Sequence, residues 1–339
     1  MINNRELTVT HYYREPRNTG VSIEGIFRTV KQDLEGRAAI RDHVCDPKQS
    51  RVKNTLEAAK YASDINHITG DVNFLALGLR GHRNILTIHD LGYYENPVHS
   101  RLKHLIYHTF WFALPLRYID VVTVVSEFTR NKLLQYFKYP EHKIRVIADP
   151  VKPAFRYMHK DQLHSKPVVL MLGTGKHKNL DNLIEAARDM NVHLDIVGWP
   201  AQDELDRLKG YGISHTIYNR LTDEEVYQRY LNCDILFIAS HYEGFGMPII
   251  EAQAVGRPVI TSNIGAMLEV GKGSAVLVDP KDPRQIRDEL VALAKDRMYY
   301  GDVVKRGLKN AARFDHRVIS EQYLELYKEI YRDMRTRGK

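Results

Sequence analysis

The sequence predicts an α/β fold built as two domains around mainly parallel sheets. Three observations carry that expectation. At 339 residues the chain exceeds what one core usually absorbs. Short apolar runs alternate with helical periodicity through both halves, the pattern of strands joined by crossover helices. The turn-rich stretch Ala148-Asp149-Pro150-Val151-Lys152-Pro153 separates two such series and marks the expected boundary, with domains 1–152 and 153–315.

In the first half, 64–68, 84–88 and 121–125 read as strands and 22–34, 53–62, 100–116 and 127–137 as helices. Gly20 lies in the turn Arg17-Asn18-Thr19-Gly20-Val21-Ser22 ahead of the first helix, with Ser22 suited to cap it. Strand 84–88 runs into His89-Asp90. Open parallel sheets bind ligands at this carboxyl edge, which makes His89 the candidate of the first half. Asp90 either orients His89 or caps the next turn. His67, Thr69, Arg14 and Arg17 are open candidates for facing a second substrate. Segment 100–116 sets Leu105, Ile106, Phe110, Trp111, Phe112 and Leu114 among Arg101, Lys103 and Arg117. It suits either a membrane surface or, as adopted here, packing in the core. His104 and His108 stand four apart without an acidic or Cys partner, so no metal site is expected there.

In the second half the strands are 168–172, 193–197, 235–238 and 259–261, and the helices 179–188, 223–232, 248–254 and 283–295. The turn Gly173-Thr174-Gly175-Lys176-His177-Lys178-Asn179 joins a strand to a helix and gathers cations with free N–H groups, a cradle for a diphosphate. The third glycine of a dinucleotide fingerprint is absent, and the P-loop pattern does not fit. After strand 235–238 the loop Gly244-Phe245-Gly246-Met247 opens another helix, with Pro248 expected at its first position and Glu251 in its first turn. Glu243 enters that loop. Two glycines let backbone approach a ligand closely, and a helix N-terminus favours phosphate or hydroxyl groups.

Composition narrows the class. Cys45 and Cys233 alone exclude a disulfide framework or a cysteine-rich zinc site, and the N-terminus lacks the apolar core of a signal peptide. No apolar run is long enough to span a bilayer. A cytoplasmic protein is expected. Residues 1–160 carry 24 Lys or Arg against 16 Asp or Glu, a net of +8, whereas residues 161–339 carry 25 against 26, a net of −1. The basic half suits an anionic acceptor or peripheral contact with the inner face of an anionic membrane, or is a solvated surface. No nucleic-acid motif accompanies the charge.

The run from His241 to Ser262 resembles the Glu-x7-Glu signature of family 4 glycosyltransferases, retaining enzymes that use nucleotide-sugar donors. The likeness continues through Gly256-Arg257-Pro258-Val259, Ser262-Asn263, Glu269-Val270 and Val278-Asp279-Pro280. It implies the GT-B fold: two Rossmann-like domains facing across an interdomain cleft, an acceptor domain followed by a donor domain, with 316–339 packing back on the first. It also implies roles for individual residues. Glu243 would bind donor-sugar hydroxyls near the anomeric centre, Glu251 the ribose, the amides of Gly244, Phe245, Gly246 and Met247 sugar and phosphate oxygens, and Lys178, beside Gly173, the diphosphate. His89 would contact the donor sugar or its phosphate, and Gly20 would help to close over it. Thr174 stands where the family carries an Arg, which leaves Lys176 to supply that charge. The linker matches no family site residue.

No Asp-x-Asp occurs, so no cofactor and no obligatory metal are expected. The reading is a retaining transferase that moves a hexose-type sugar to a glycan, lipid-linked or other acceptor in cell-surface polysaccharide or glycoconjugate synthesis. A nucleotide-sugar epimerase of the same fold and a non-catalytic nucleotide-sugar-binding subunit are the alternatives.

Overall fold

The protein is described by a computed structural model covering residues 7–15, 23–95 and 100–337. Gly20, Arg17 and Ser22 lie outside the described residues. The chain forms two compact units. Among the described residues, those of 23–150 and 316–337 join the N-terminal strand in the first, and Val151–Asp315 forms the second.

The first unit is built on β1 (Thr8–Tyr13), β2 (Ala39–Val44), β3 (Ile65–Ile68), β4 (Asn84–Ile88), β5 (Val121–Val124) and β6 (Ile144–Val146). They form one parallel sheet in the order β2-β1-β3-β4-β5-β6. Side chains alternate between faces along a strand, and here both faces are covered. Val9, Ile65 and Ile85 pack with Phe27 of the helix Ile23–Asp33 and with Tyr323 and Tyr327 of the helix His316–Arg337. Tyr12, Ile68 and Leu86 pack on the other side with Leu75 and Phe112.

His11 and His67 lie on the first of these faces, fully buried, and share one phenol. The Tyr327 hydroxyl lies 3.0 Å from His11 Nε2 and 2.7 Å from His67 Nδ1, and His67 Nε2 lies 2.7 Å from Thr87 Oγ1. Burial pushes the His11 pKa down to about 3 and lowers that of His67 well below its ordinary value, so both are neutral and structural. His67 is therefore no acceptor contact.

The second unit contains β7 (Val168–Leu172), β8 (His193–Val197), β9 (Ser214–Tyr218), β10 (Ile235–Ile238), β11 (Val259–Ser262) and β12 (Val276–Val278), ordered β12-β11-β10-β7-β8-β9 and parallel throughout. From β7 the chain winds outward through β8 and β9, then restarts on the other side at β10. The strand order thus reverses between β7 and β10, where open α/β sheets form a binding crevice at their carboxyl ends. Val169, Leu194, Ile235 and Ile260 form the core with Leu183 and Leu290.

Several expectations change. The helix expected over 100–116 is an α-helix only over Arg101–Tyr107; it widens to a π turn at His108–Ala113, closed by Leu114 N donating to Thr109 O at 2.9 Å, and ends in a 3-10 turn at Pro115–Tyr118. Its apolar side chains are not all core. Leu105, Ile106 and Phe110 are 60%, 50% and 50% exposed, whereas Phe112 is buried. The helix after the second glycine loop is Met247–Ala254, so Pro248 takes its second position. Glu251 then lies beyond the first turn, and the helix dipole does not account for it.

Candidate active site

The crevice between β7 and β10 receives two turns. After β7 the chain bends at Gly173, whose φ of +86° suits glycine; a Cβ there would stand 3.2 Å from Lys178 Cε. The Lys178 stem therefore lies against bare backbone. The turn Lys176–Lys178 uses its own amides, Lys178 N donating to Gly175 O and Asn179 N to Lys176 O. It offers side-chain charge more than free N–H groups. Lys176 is exposed on the same turn.

After β10 the chain runs from Ser240 to Gly246, which has φ of +100° and caps the helix Met247–Ala254. A Cβ on Gly246 would stand 3.0 Å from Ile249 Cδ1. Among the described residues, the amides of Phe245, Gly246 and Met247 make no hydrogen bond to protein, which leaves them to a ligand. The Phe245 ring is buried edge-on against Phe314 and anchors the loop.

The structure brings Glu243 and Lys178 together. Lys178 Nζ donates to Glu243 Oε1 at 2.6 Å, and Ser240 Oγ donates to the same oxygen at 2.8 Å. Oε2 is taken by neither. A ligand carrying both hydroxyls and negative charge could engage this pair from either side.

Glu251 is fully buried. Tyr230 Oη donates to its Oε2 at 2.6 Å, while Oε1 has no partner. Burial pushes the Glu251 pKa up, and the hydrogen bond from Tyr230 and the charge of Lys152 only partly oppose this. An orphaned buried carboxylate oxygen is costly, and a ligand hydroxyl would satisfy it. Sequence reasoning missed Tyr230, because a Tyr inside a helix looks like ordinary packing.

His89 follows β4 in the first unit and is held at both ring nitrogens. Nε2 lies 2.9 Å from Thr69 O, and Nδ1 lies 3.4 Å from Asp149 Oδ1. Burial alone would lower its pKa, but the carboxylate of Asp149 and the Thr69 carbonyl raise it on balance. An acceptor at each nitrogen holds the ring in place and favours its protonated form. Asp90 does not orient it; its Oδ1 accepts from Gly92 N at 2.8 Å and caps the turn. Asp149 does that work from the linker, where no site residue was expected. The available signal was an acidic residue beside Pro150, which also suits an ordinary turn.

Arg14 and Asp71 were separate in the sequence and meet here. Arg14 Nη1 donates to Asp71 Oδ2 at 3.0 Å and Nε to Glu24 Oε1 at 3.1 Å, and Trp111 Nε1 donates to Asp71 Oδ1 at 3.3 Å. Among the described residues, no group of three or more His, Cys, Asp or Glu side chains is arranged to hold a metal ion, and no helix is long and apolar enough to cross a membrane.

Comparison with known proteins gives the same picture. Residues 157–311 match the family model described as glycosyl transferases group 1, and residues 47–155 match that of glycosyltransferase family 4. The chain is 26% identical to O-antigen chain mannosyltransferase B of Escherichia coli, over 73% of this chain and 70% of that protein. It is 25% identical to the N,N'-diacetylbacillosaminyl-diphospho-undecaprenol alpha-1,3-N-acetylgalactosaminyltransferase of Campylobacter jejuni, over 72% and 68%. In fold it is similar to sucrose-phosphate synthase from Thermosynechococcus elongatus, with a TM-score of 0.76 at 17% identity over 97% of this chain and 100% of that one. It is also similar to Anabaena HepE in complex with UDP and glucose, with a TM-score of 0.75 at 15% identity over 94% and 99%. Two parallel sheets, a glycine loop with its paired carboxylates, and these matches together make the chain a family 4 glycosyltransferase of the GT-B fold.

Proposed function

We propose that this enzyme transfers a hexose-type sugar from a nucleotide-sugar to a glycan or lipid-linked acceptor, with retention at the anomeric carbon and without an obligatory metal. The observation that carries the reading is Glu251 Oε1, a buried carboxylate oxygen without a partner, on the helix that the glycine loop opens, while Lys178 and Glu243 pair across the two loops of the same crevice. Ribose hydroxyls satisfy Oε1. The amides of Phe245, Gly246 and Met247 hold sugar and phosphate oxygens, and Glu243 Oε2 accepts from a sugar hydroxyl. Relatives and structural neighbours named for mannosyl transfer, for a lipid diphosphate acceptor and for bound UDP support a nucleotide-sugar donor and such acceptors.

Lys178 pairs with Glu243. A bound diphosphate competes for Lys178 and releases Glu243 to the sugar. As the bond from the anomeric carbon to the phosphate oxygen breaks, charge grows on the leaving diphosphate, and Lys178 with the loop amides stabilises it. The acceptor oxygen bonds to the anomeric carbon on the same face, and its proton passes to the departing phosphate oxygen. His89 in its protonated form adds a positive charge on the first unit.

Membrane contact belongs to the same proposal. Leu102, Leu105, Ile106 and Phe110 are exposed beside Arg101 and Lys103, a combination suited to the interface of an anionic bilayer from the cytoplasmic side.

The test is product analysis with UDP-, GDP- and ADP-sugars and a lipid-linked glycan acceptor, with and without EDTA. The expected result is free nucleoside diphosphate and a glycoside of unchanged anomeric configuration at an undiminished rate. An altered nucleotide-sugar with no extended acceptor, an inverted linkage, or loss of turnover in EDTA would each refute the corresponding part.

A further inference from the structure

Behind the glycine loop of the second unit lies a buried polar network that includes none of the candidate ligand groups. Gln253, Ser274 and Asn310 are each almost fully buried. Asn310, on the helix Arg297–Ala311, donates through Nδ2 to Gln253 Oε1 at 2.8 Å and to Val270 O at 2.9 Å, and its Oδ1 accepts from Arg313 Nη1 at 3.0 Å. Gln253 Nε2 donates to Ser274 Oγ at 3.0 Å, and that hydroxyl donates to Gly271 O at 3.1 Å. No side-chain polar atom of the three lacks a partner. The network ties together the helix Met247–Ala254 that the loop opens, the helix Arg297–Ala311, and the turn between the helix Gly265–Gly271 and β12.

The backbone makes room for it. A Cβ on Gly307 would stand 2.9 Å from Gln253 Cγ, so the helix Arg297–Ala311 meets Gln253 with bare backbone. Just beyond Asn310 the chain turns through Ala312–Phe314, and the Phe314 ring packs edge-on against Phe245 with centroids 5.5 Å apart. The stretch 307–314 therefore touches both the glycine loop and the helix after it.

Apolar residues of the same shape often serve stability as well as a buried amide network does. What the network adds is direction. The helix Met247–Ala254 has only eight residues and is otherwise packed through Ile249, Ile250 and Ala252, whose non-directional contacts permit small rotations about its axis. Glu251 and Gln253 leave the helix about 200° apart, Glu251 toward Tyr230 and Gln253 toward Asn310. With side chains reaching roughly 5–6 Å from the axis, a rotation of about 10° would carry the Glu251 carboxyl about 1 Å. Misplacement by about 1 Å can cost a site roughly 100-fold.

We propose that Gln253 and Asn310 are positioning residues of the donor site. They fix the rotation of the helix Met247–Ala254, so that Glu251 Oε1 and the amides of Phe245, Gly246 and Met247 are held in one arrangement. What those groups bind rests on the nucleotide-sugar reading; that Gln253 and Asn310 hold them does not.

Gln253→Met keeps the length of the side chain and leaves Asn310 its bond to Val270 O and Ser274 its bond to Gly271 O. Hydrogen–deuterium exchange of the full-length variant and wild type, without nucleotide, is followed by mass spectrometry. Peptides within 244–254 should exchange about tenfold faster or more in the variant, with those of β7 and β10 unchanged. Equal protection of 244–254, or a rise spread evenly over the second unit, would overturn the proposal. Ser274→Ala removes only the acceptor of Gln253 Nε2 and should shift the same peptides by a smaller factor, so the comparison stands even if Gln253→Met fails to fold. UDP, GDP and ADP are then titrated into wild type, Gln253→Met, Glu251→Gln and the double variant. The nucleotide that binds wild type should lose about tenfold in affinity on Gln253→Met, but no more than about threefold in the Glu251→Gln background, because the two substitutions act on one contact. A loss of equal size in both backgrounds would overturn the proposal, since a merely structural residue predicts it. If no nucleotide binds wild type, the donor reading fails and the exchange comparison still decides whether Gln253 positions the loop.

Discussion

Replacing Glu251 by Gln should make the ligand-free enzyme more stable and a worse binder of its nucleotide. The side chain is fully buried and its Oε1 is orphaned, while Tyr230 already supplies Oε2. An unsatisfied buried polar atom costs about 1–3 kcal/mol, more when charged. A neutral amide keeps the Tyr230 bond through its oxygen and removes the buried charge, leaving a net gain of about 1–2 kcal/mol. For a unit of this size that raises Tm by about 2–4 °C per kcal/mol.

The sign with pH follows from the raised pKa. A carboxyl whose folded pKa lies above its ordinary value of 4.5 destabilises the fold once pH exceeds 4.5, in full above the folded pKa. The advantage of Glu251→Gln should therefore be greatest near neutrality and vanish as pH falls below about 4.5. On the binding side, losing hydrogen bonds from ribose hydroxyls to a charged acceptor is worth about 1.5–3 kcal/mol, or roughly 10- to 100-fold in Kd. Differential scanning fluorimetry across pH, with and without UDP and GDP, measures both effects. A variant that is less stable when ligand-free at pH 7 and keeps the full nucleotide shift would refute the assignment of Oε1 as a vacant ligand contact.

Three further outcomes are expected. Asp149→Asn removes the carboxylate that raises the His89 pKa; that stabilisation is present below pH 6.5 and lost as pH rises through the raised value, so the Tm deficit of the variant should be larger at pH 6 than at pH 9. Lys178→Ala and Glu243→Gln should each lower kcat about 10²–10³-fold in a donor–acceptor assay while the far-UV spectrum is kept, and unaltered turnover would remove both from the site. Leu105→Asp with Ile106→Asp should abolish co-sedimentation with vesicles containing anionic lipid while leaving turnover of a water-soluble acceptor unaltered; undiminished sedimentation would remove this helix as the membrane contact.

The elements legible in the sequence and those missed differ in a physical way. The strands recognised, from β3 to β5 in one sheet and β7, β10 and β11 in the other, are interior and flanked by partners on both sides. β8, also interior, was recognised as well. The four edges, β2, β6, β9 and β12, were all missed. An edge strand is short or charged, as Ala39–Val44 with its Arg41 and Asp42 and Ile144–Val146 with three residues both show, because it must resist pairing with other chains. β1 was missed for the opposite reason. It is central, but Thr10 and His11 are buried polar residues whose partners, among them Tyr327, lie far along the chain and cannot be read from a local window. The same limit hid Asp149 from His89 and Tyr230 from Glu251.

The long family motif and the small set of ligand groups also need to be told apart, because most landmarks that carried the resemblance do not face a ligand. Asn179 Nδ2 donates to Ala239 O at 2.8 Å and to Pro280 O at 2.7 Å, tying the β7 turn to β10 and to the Asp279-Pro280 pair. Ser262 Oγ donates to Ser240 O at 2.5 Å and fixes the residue that itself bonds Glu243. Arg257 is buried and gives its guanidinium to the carbonyls of Cys233, Leu231 and Met158, holding the far end of β10. Most of these braces fall within the continuous stretch 231–280, at both ends of neighbouring strands, so they leave a long, ordered run in the sequence. The polar groups gathered in the first unit come from the ends of β1, β3 and β4 and from a π turn, with nothing contiguous to read. The motif's length therefore measures how firmly the donor loop is scaffolded. The cluster of Arg14, Asp71 and Trp111 becomes visible only when the topology brings them to one edge.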